Sequence, residues 1–198
     1  MSELLATQNG TVTIARERDA PTRDADLGRQ YTQLSLVLFP ALGGVAWIAT
    51  RPANPVQRPT ELLGPVVALL CLTGVVSFLM LTARHGAILM GRAPIAFFRN
   101  FNGAVIPDWV ERPARTFNNL MQLPTVFYVA CAFMMQTGLV DSVQLALAWA
   151  FVAARVVHAI VFVGWNAVKW RFVAACVAFA AFGILVYRFA QQSWSLWM

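Results

Sequence analysis

Five apolar segments, at residues 31–50, 62–84, 115–137, 143–164 and 172–190, constrain this chain more than any other feature. Each runs for about twenty residues, and ~20 residues at a ~1.5 Å rise cross a ~30 Å hydrocarbon layer. Only helices span a bilayer in so short a chain, because every backbone N–H must find its partner within its own segment. A closed barrel needs alternation along ~10-residue strands, and runs such as VVALLCLTGVV have none. Composition agrees: 59% of the 198 residues are hydrophobic and 12% charged, about half the charged share of a soluble domain. The expected fold class is therefore all-α, an integral membrane helical bundle. Residues 1–30 are polar and rich in turn formers, and they predict a flexible tail with some helix near 23–30. The first span, 31–50, carries Pro40, Gly43 and Gly44, which predict a kink or a close helix contact.

Charge placement gives an expected topology. Arg16, Arg18, Arg23, Arg29, Arg84, Arg92, Arg99, Arg112, Arg115, Lys169 and Arg171 fall on one side of a five-span chain, and only Arg51, Arg58 and Arg188 on the other. This bias predicts a cytoplasmic N-terminus and an outer C-terminus. The net charge of +6 thus speaks for anionic lipid headgroups, not nucleic acid, since the cations flank apolar segments and form no patch interleaved with aromatics. Cys71, Cys131 and Cys176 lie in apolar stretches without metal-ligand spacing and read as small core residues, and His85 reads as part of a loop. No metal site is expected. The 85–114 connection, with Pro94, Pro107 and Pro113, is the one loop with room for a lid or shelf.

Two groups of polar residues can carry chemistry. Arg155 lies in mid-segment with His158 and Phe162 at i+3 and i+7, on one helical face. A charge in a span costs at least ~2.5–3.5 kcal/mol, so it faces a partner or a wet cavity. Whether Arg155 is a ligand-binding group or a packing device is open on these residues alone. Arg115, Asn119 and Gln122 stand at i, i+4 and i+7, with Arg112 one turn earlier. A guanidinium and two amides in line suit a ligand with carboxylates and peptide groups, and equally a polar collar that ends a helix. Arg171 adds a cation at the same depth, where ordinary flanking charge is also expected.

From Glu111 to Arg171 these pieces resemble the MAPEG superfamily, the membrane-associated proteins in eicosanoid and glutathione metabolism. The family's E-R-x-x-R-A-x-x-N-x-x-E stretch, followed by Pro, is approached by Glu111, Arg112, Arg115, Asn119 and Pro124. Its R-x-x-H or R-x-x-Y is matched by Arg155 and His158, and the Arg that opens its fourth helix by Arg171. The wording of NNLMQLPTVFYV and AWAFVAARVVHAIVFVGWN is similar to the bacterial branch.

The resemblance implies a four-helix bundle over 62–198, preceded by one extra transmembrane helix, and a homotrimer in a bacterial inner membrane. It also implies glutathione as co-substrate, bound between subunits at the cytoplasmic face, with lipophilic small molecules arriving from the membrane lipids. By position, Arg115, Asn119, Gln122, Arg155 and His158 would hold glutathione, Arg171 would stabilise its thiolate as the catalytic residue, and Arg84 could contribute. Three departures qualify this. Gln122 stands where the family has Glu, Phe162 where many members have Tyr, and the 31–50 span is additional. Two functions follow as alternatives: a membrane glutathione transferase or peroxidase, or a non-catalytic accessory subunit that keeps the fold within a larger membrane assembly. A channel or transporter is disfavoured, because no inverted repeat or chain of titratable groups is present.

Overall fold

The structure, a computed structural model, describes residues 20–55, 58–101 and 105–194. Seven helices follow in order: α1 Ala20–Ala49, α2 Leu63–Leu89, α3 Ile95–Asn100, α4 Asp108–Leu120, α5 Leu123–Thr137, α6 Ser142–Val163 and α7 Val168–Trp194. A 3-10 turn, Pro59–Leu62, leads into α2, and α4 with α5 forms one span broken at Met121–Gln122. Five helices are thus long and apolar enough to cross a membrane, as the sequence predicts. The chain is an integral membrane protein.

Several boundaries differ from expectation for physical reasons. The third span starts at Asp108, seven residues before 115, because an amphipathic stretch extends the helix past the apolar run. It breaks where Pro124 opens α5, since proline has no N–H to continue the i→i−4 ladder. α2 continues to Leu89, so His85 sits on a helix and not in a loop, and Arg84 lies inside the helix and not at its end. The connection between spans two and three is therefore 90–107, and it contains α3. α1 is already helical from Ala20 and runs through Pro40, while the rest of the expected tail, 1–19, lies outside the described residues. No neighbour lies within 4 Å of a Cβ built at Gly43 or Gly44, so these glycines make no close helix contact within the chain. Cys131 is buried as expected, but Cys71 is exposed on α2 and Cys176 is half-buried.

The core forms where α2, α5, α6 and α7 meet. Phe127 of α5 stacks on Phe151 of α6 at 4.6 Å, and Phe182 of α7 closes the triangle at 5.7 and 6.2 Å. Such offset and edge contacts suit the ring quadrupole. α6 and α7 share the most extensive contact, and α1 packs outside them, chiefly on α7. Two ends can be distinguished. At the far end lie the α1–α2 connection and the α5–α6 turn, where Gly138 takes a left-handed conformation (φ 72°) that releases the chain from α5. At the site end lie the α2–α4 connection and the α6–α7 turn.

The far end is locked by one carboxylate. Asp141 caps α6 in a reciprocal box with Gln144, both bonds at 2.7 Å. The other Asp141 oxygen accepts from Arg188 and Gln192 of α7, each at 2.8 Å. Next to it the Ser142 N–H donates to the Asn54 carbonyl at 2.9 Å, which ties the α1–α2 connection to the same turn.

Candidate functional site

α6 carries the buried part of the site. Its 3.6-residue period puts Arg155, His158 and Phe162 on one face, and all three are buried, at 3%, 5% and 6% exposure. Arg155 has no carboxylate partner among the described residues. Its guanidinium donates to the Asn119 carbonyl of α4 at 3.0 Å and lies 5.8 Å from the Phe151 ring. That carbonyl lies in the last turn of α4, where it has no i+4 helical donor and accepts only weakly from the Gln122 N–H at 3.4 Å, which leaves it open to the guanidinium. The helix break made by Pro124 thus receives the buried cation.

Arg171 enters from α7. Its guanidinium lies 3.5 Å above the centroid of the Phe162 ring, and that ring meets His158 edge-on at 5.8 Å. A cation over an aromatic face is stabilised by roughly 0.5–2 kcal/mol, more as water is excluded. The other side of the fork is held by Asn166, whose Oδ1 accepts from Arg171 at 2.6 Å. Asn166 is in the left-handed region (φ 54°), which asparagine tolerates better than most residues. Arg171 also interacts electrostatically with Arg115 and with His158.

α4 supplies the exposed rim. Arg115 pairs with Glu111 one turn back. Arg112 binds Asp108 at 2.6 Å and donates to the Gly164 carbonyl at the C-terminus of α6, so it ties α4 to the α6–α7 turn. Asn119 is half-buried, whereas Gln122 is exposed at the break and its side chain makes no hydrogen bond to the cluster. Among the described residues, three polar atoms of this cluster are buried without a hydrogen-bond partner: Asn119 Oδ1, Arg155 Nε and Arg171 Nε. One acceptor and two cationic donors thus remain unmet at one end of the bundle.

The pattern from Glu111 to Arg171 can now be set against known proteins. Residues 62–190 match the MAPEG family. This chain belongs to that family. No curated protein and no solved structure matches it. The match begins at Leu62 and leaves α1 outside, so the first helix is an addition to the family's segment of the chain.

In this MAPEG protein the structure brings Arg155, Asn119, His158 and Arg171 together through direct bonds and the shared Phe162 ring, and it sets Arg115 beside them. It does not bring in Gln122. The 90–107 connection does build a shelf: Phe97, Phe98 and Phe101 wall a cavity of about 190 Å³ with Arg84, Glu111 and Arg115. Arg84 lies 5.6 Å from the Phe98 ring and 5.9 Å from Phe101.

Two participants escape sequence reasoning. Asn166 positions Arg171, and its signal was an asparagine in the short turn after Gly164-Trp165. Tyr128 of α5 lies within electrostatic reach of Arg155, which a lone Tyr in an apolar span does not signal.

Proposed function

We propose that this MAPEG protein is a glutathione-dependent membrane transferase or peroxidase acting on lipophilic electrophiles that arrive through the bilayer. The observation that carries this is the set of unmet polar atoms on Asn119, Arg155 and Arg171. A buried group without a partner costs ~1–3 kcal/mol, more if charged, so such groups persist where a ligand or water completes them. Glutathione fits the donor set: its carboxylates suit guanidinium forks, and its amides suit an Asn that both donates and accepts.

The roles follow from position. Arg155, fixed to the Asn119 carbonyl, presents its remaining donors to a carboxylate. Arg115 is exposed and would share its fork between Glu111 and the ligand. Arg171, held by Asn166 and the Phe162 face, presents a fixed positive charge that favours a thiolate over a thiol. Bound glutathione would supply that sulfur, and the reaction class is displacement: a sulfur–carbon bond forms, a carbon–halide bond breaks, the halide leaves as an anion and the thiol proton goes to water. Buried His158, edge-on to Phe162, serves to hold that ring under Arg171. We further infer a homotrimer in a bacterial inner membrane, with the site end cytoplasmic, from the family resemblance and the basic bias of that end.

The test is a glutathione-dependent thermal shift on the detergent-purified protein. A shift in wild type that is lost in Arg115→Ala is expected, together with conjugation of a small aromatic halide. Equal shifts in both proteins would remove the proposed site, and undiminished turnover in Arg171→Ala would remove the thiolate role.

A second function has specific support. Gln122 is exposed and outside the cluster, Phe162 offers a ring face without a hydroxyl, and α1 is additional. These features suit a non-catalytic accessory subunit of a larger membrane complex. Extraction in mild detergent separates the two: a lone homotrimer on sizing counts against this function, and stoichiometric co-purification of other subunits supports it.

A further inference from the structure

The added helix builds a groove that the proposed chemistry does not use. On α1, Gln33, Val37 and Ala41 recur every fourth position and line one side of the groove, with Arg29 one turn before them and Val45 one turn after. Val45 is buried in the core at 3% exposure and anchors the lower end of that side. Above it, Val37 and Ala41 face Val157 and Val161 of α6 and Val173 and Val177 of α7 across an almost wholly apolar cavity of about 460 Å³. Trp165 and Trp170 line the same cavity near the site end. A second hollow continues from it, sharing Val37, Trp170 and Val173, and is lined by Gln33 and Lys169. Lys169 has no acidic partner among the described side chains.

We propose that this groove holds one membrane phospholipid with an anionic phosphodiester headgroup, clasped between α1 and the α6–α7 pair. The order of chemistry along the groove is that of such a lipid. Cations and an amide come first, then two indoles of the kind that sit at the membrane interface, then a slot without polar groups. The length agrees as well. Gln33 to Val45 is twelve residues, or ~18 Å of helix, against ~15 Å for one leaflet of a ~30 Å hydrocarbon layer. A zwitterionic lipid would fill the slot equally but would gain little from Arg29 and Lys169. The lipid would also explain how α1, whose membrane-crossing window is only 6% buried in the chain, holds a defined place on α7.

The full-length protein, stripped of lipid by detergent exchange, should be offered phosphatidylglycerol or phosphatidylcholine with identical chains in mixed micelles, and retained lipid counted by native mass spectrometry. Wild type is expected to retain phosphatidylglycerol selectively. Arg29→Gln and Lys169→Gln should each weaken retention about fivefold, equivalent to ~1 kcal/mol per cation. Ala41→Phe, which fills the slot, should abolish it while the protein elutes at unchanged size. Equal retention of the two lipids, or phosphatidylglycerol retention unchanged in the double Arg29→Gln/Lys169→Gln variant, would overturn the proposal. So would an Ala41→Phe variant that changes oligomer size without changing lipid count, because the groove would then hold a second copy of the chain.

Discussion

Asp141→Ala should be the most damaging single substitution at the far end of the bundle. The carboxylate serves three purposes at once: it caps α6, it pairs with Arg188 and it accepts from Gln192. Loss of the cap costs ~1 kcal/mol. Removing one partner of a buried ion pair costs ~3–5 kcal/mol; Arg188 keeps 23% side-chain exposure, which lowers its share to about 2 kcal/mol. The Gln192 bond adds ~1 kcal/mol at most, because Gln192 still accepts from Gln144. Bonds in one network are not additive, so the expected total is about 3–4 kcal/mol. For a chain of this length that corresponds to a fall in melting temperature of roughly 6–16 °C. Asp141→Asn keeps the cap and one acceptor oxygen and loses only the charge assistance, so its fall should be less than half as large. Far-UV circular dichroism of the detergent-purified full-length protein during heating reads both. A fall under about 2 °C for Asp141→Ala would refute the assigned network. Equal falls for Ala and Asn would refute the capping share.

The site end offers contrasting outcomes. Arg155→Met should leave thermal stability within about 1 kcal/mol of wild type, since a buried cation gives way to an apolar chain of similar size. The same variant should lose the glutathione-dependent shift, and a large loss of stability would instead make Arg155 a structural post. Asn166→Ala should cost ~1–2 kcal/mol because alanine resists the left-handed backbone, whereas Asn166→Gly should be nearly neutral; both should weaken glutathione-supported turnover by freeing Arg171, measured against the Arg171→Ala rate. If glutathione reaches the exposed Gln122, Gln122→Glu should tighten it by about ten- to 150-fold, the equivalent of a ~1.5–3 kcal/mol charge-assisted bond, as read by calorimetry. No change at all would leave the exposed Gln122 amide beyond the ligand's reach.

What could be read from the residues was what depends on local periodicity. Twenty-residue apolar runs gave the five spans, and the 3.6-residue repeat put Arg155, His158 and Phe162 on one face. Span ends were misplaced where helix continues past the apolar run, as at Asp108 and Leu89. Hydropathy stops at the charged residues there, Arg84 and His85 in α2 and Asp108 to Arg115 in α4, although the helical ladder runs through them. The Asp141-x-x-Gln144 capping box was a local signal that could have been read at the start of α6. The bonds that Asp141 makes to Arg188 and Gln192 could not, since they join residues almost fifty positions apart. Gln122 fails for a related reason. Its alignment with Arg115 and Asn119 assumed an unbroken helix, and Pro124 had already removed the ladder that would keep it in phase.

The two ends of the bundle treat buried charge in opposite ways, and that difference is what points to function. At the far end a carboxylate meets Arg188, and among its groups only Arg188 Nε is left without a partner. At the site end Arg155 is more deeply buried, yet it has a single carbonyl and an aromatic edge, with no carboxylate among the described residues. Arg171 beside it has an amide and a ring. A chain that needed only a folded bundle could have closed the site end as it closed the far end, with one acidic side chain between the two arginines. The Phe162 face under Arg171 and the Asn119 carbonyl on Arg155 hold the guanidinium groups in place while leaving their charge uncancelled, at a cost in folding stability that a bound anion would offset. On the proposed function, this is the end that would receive negative charge from outside the chain.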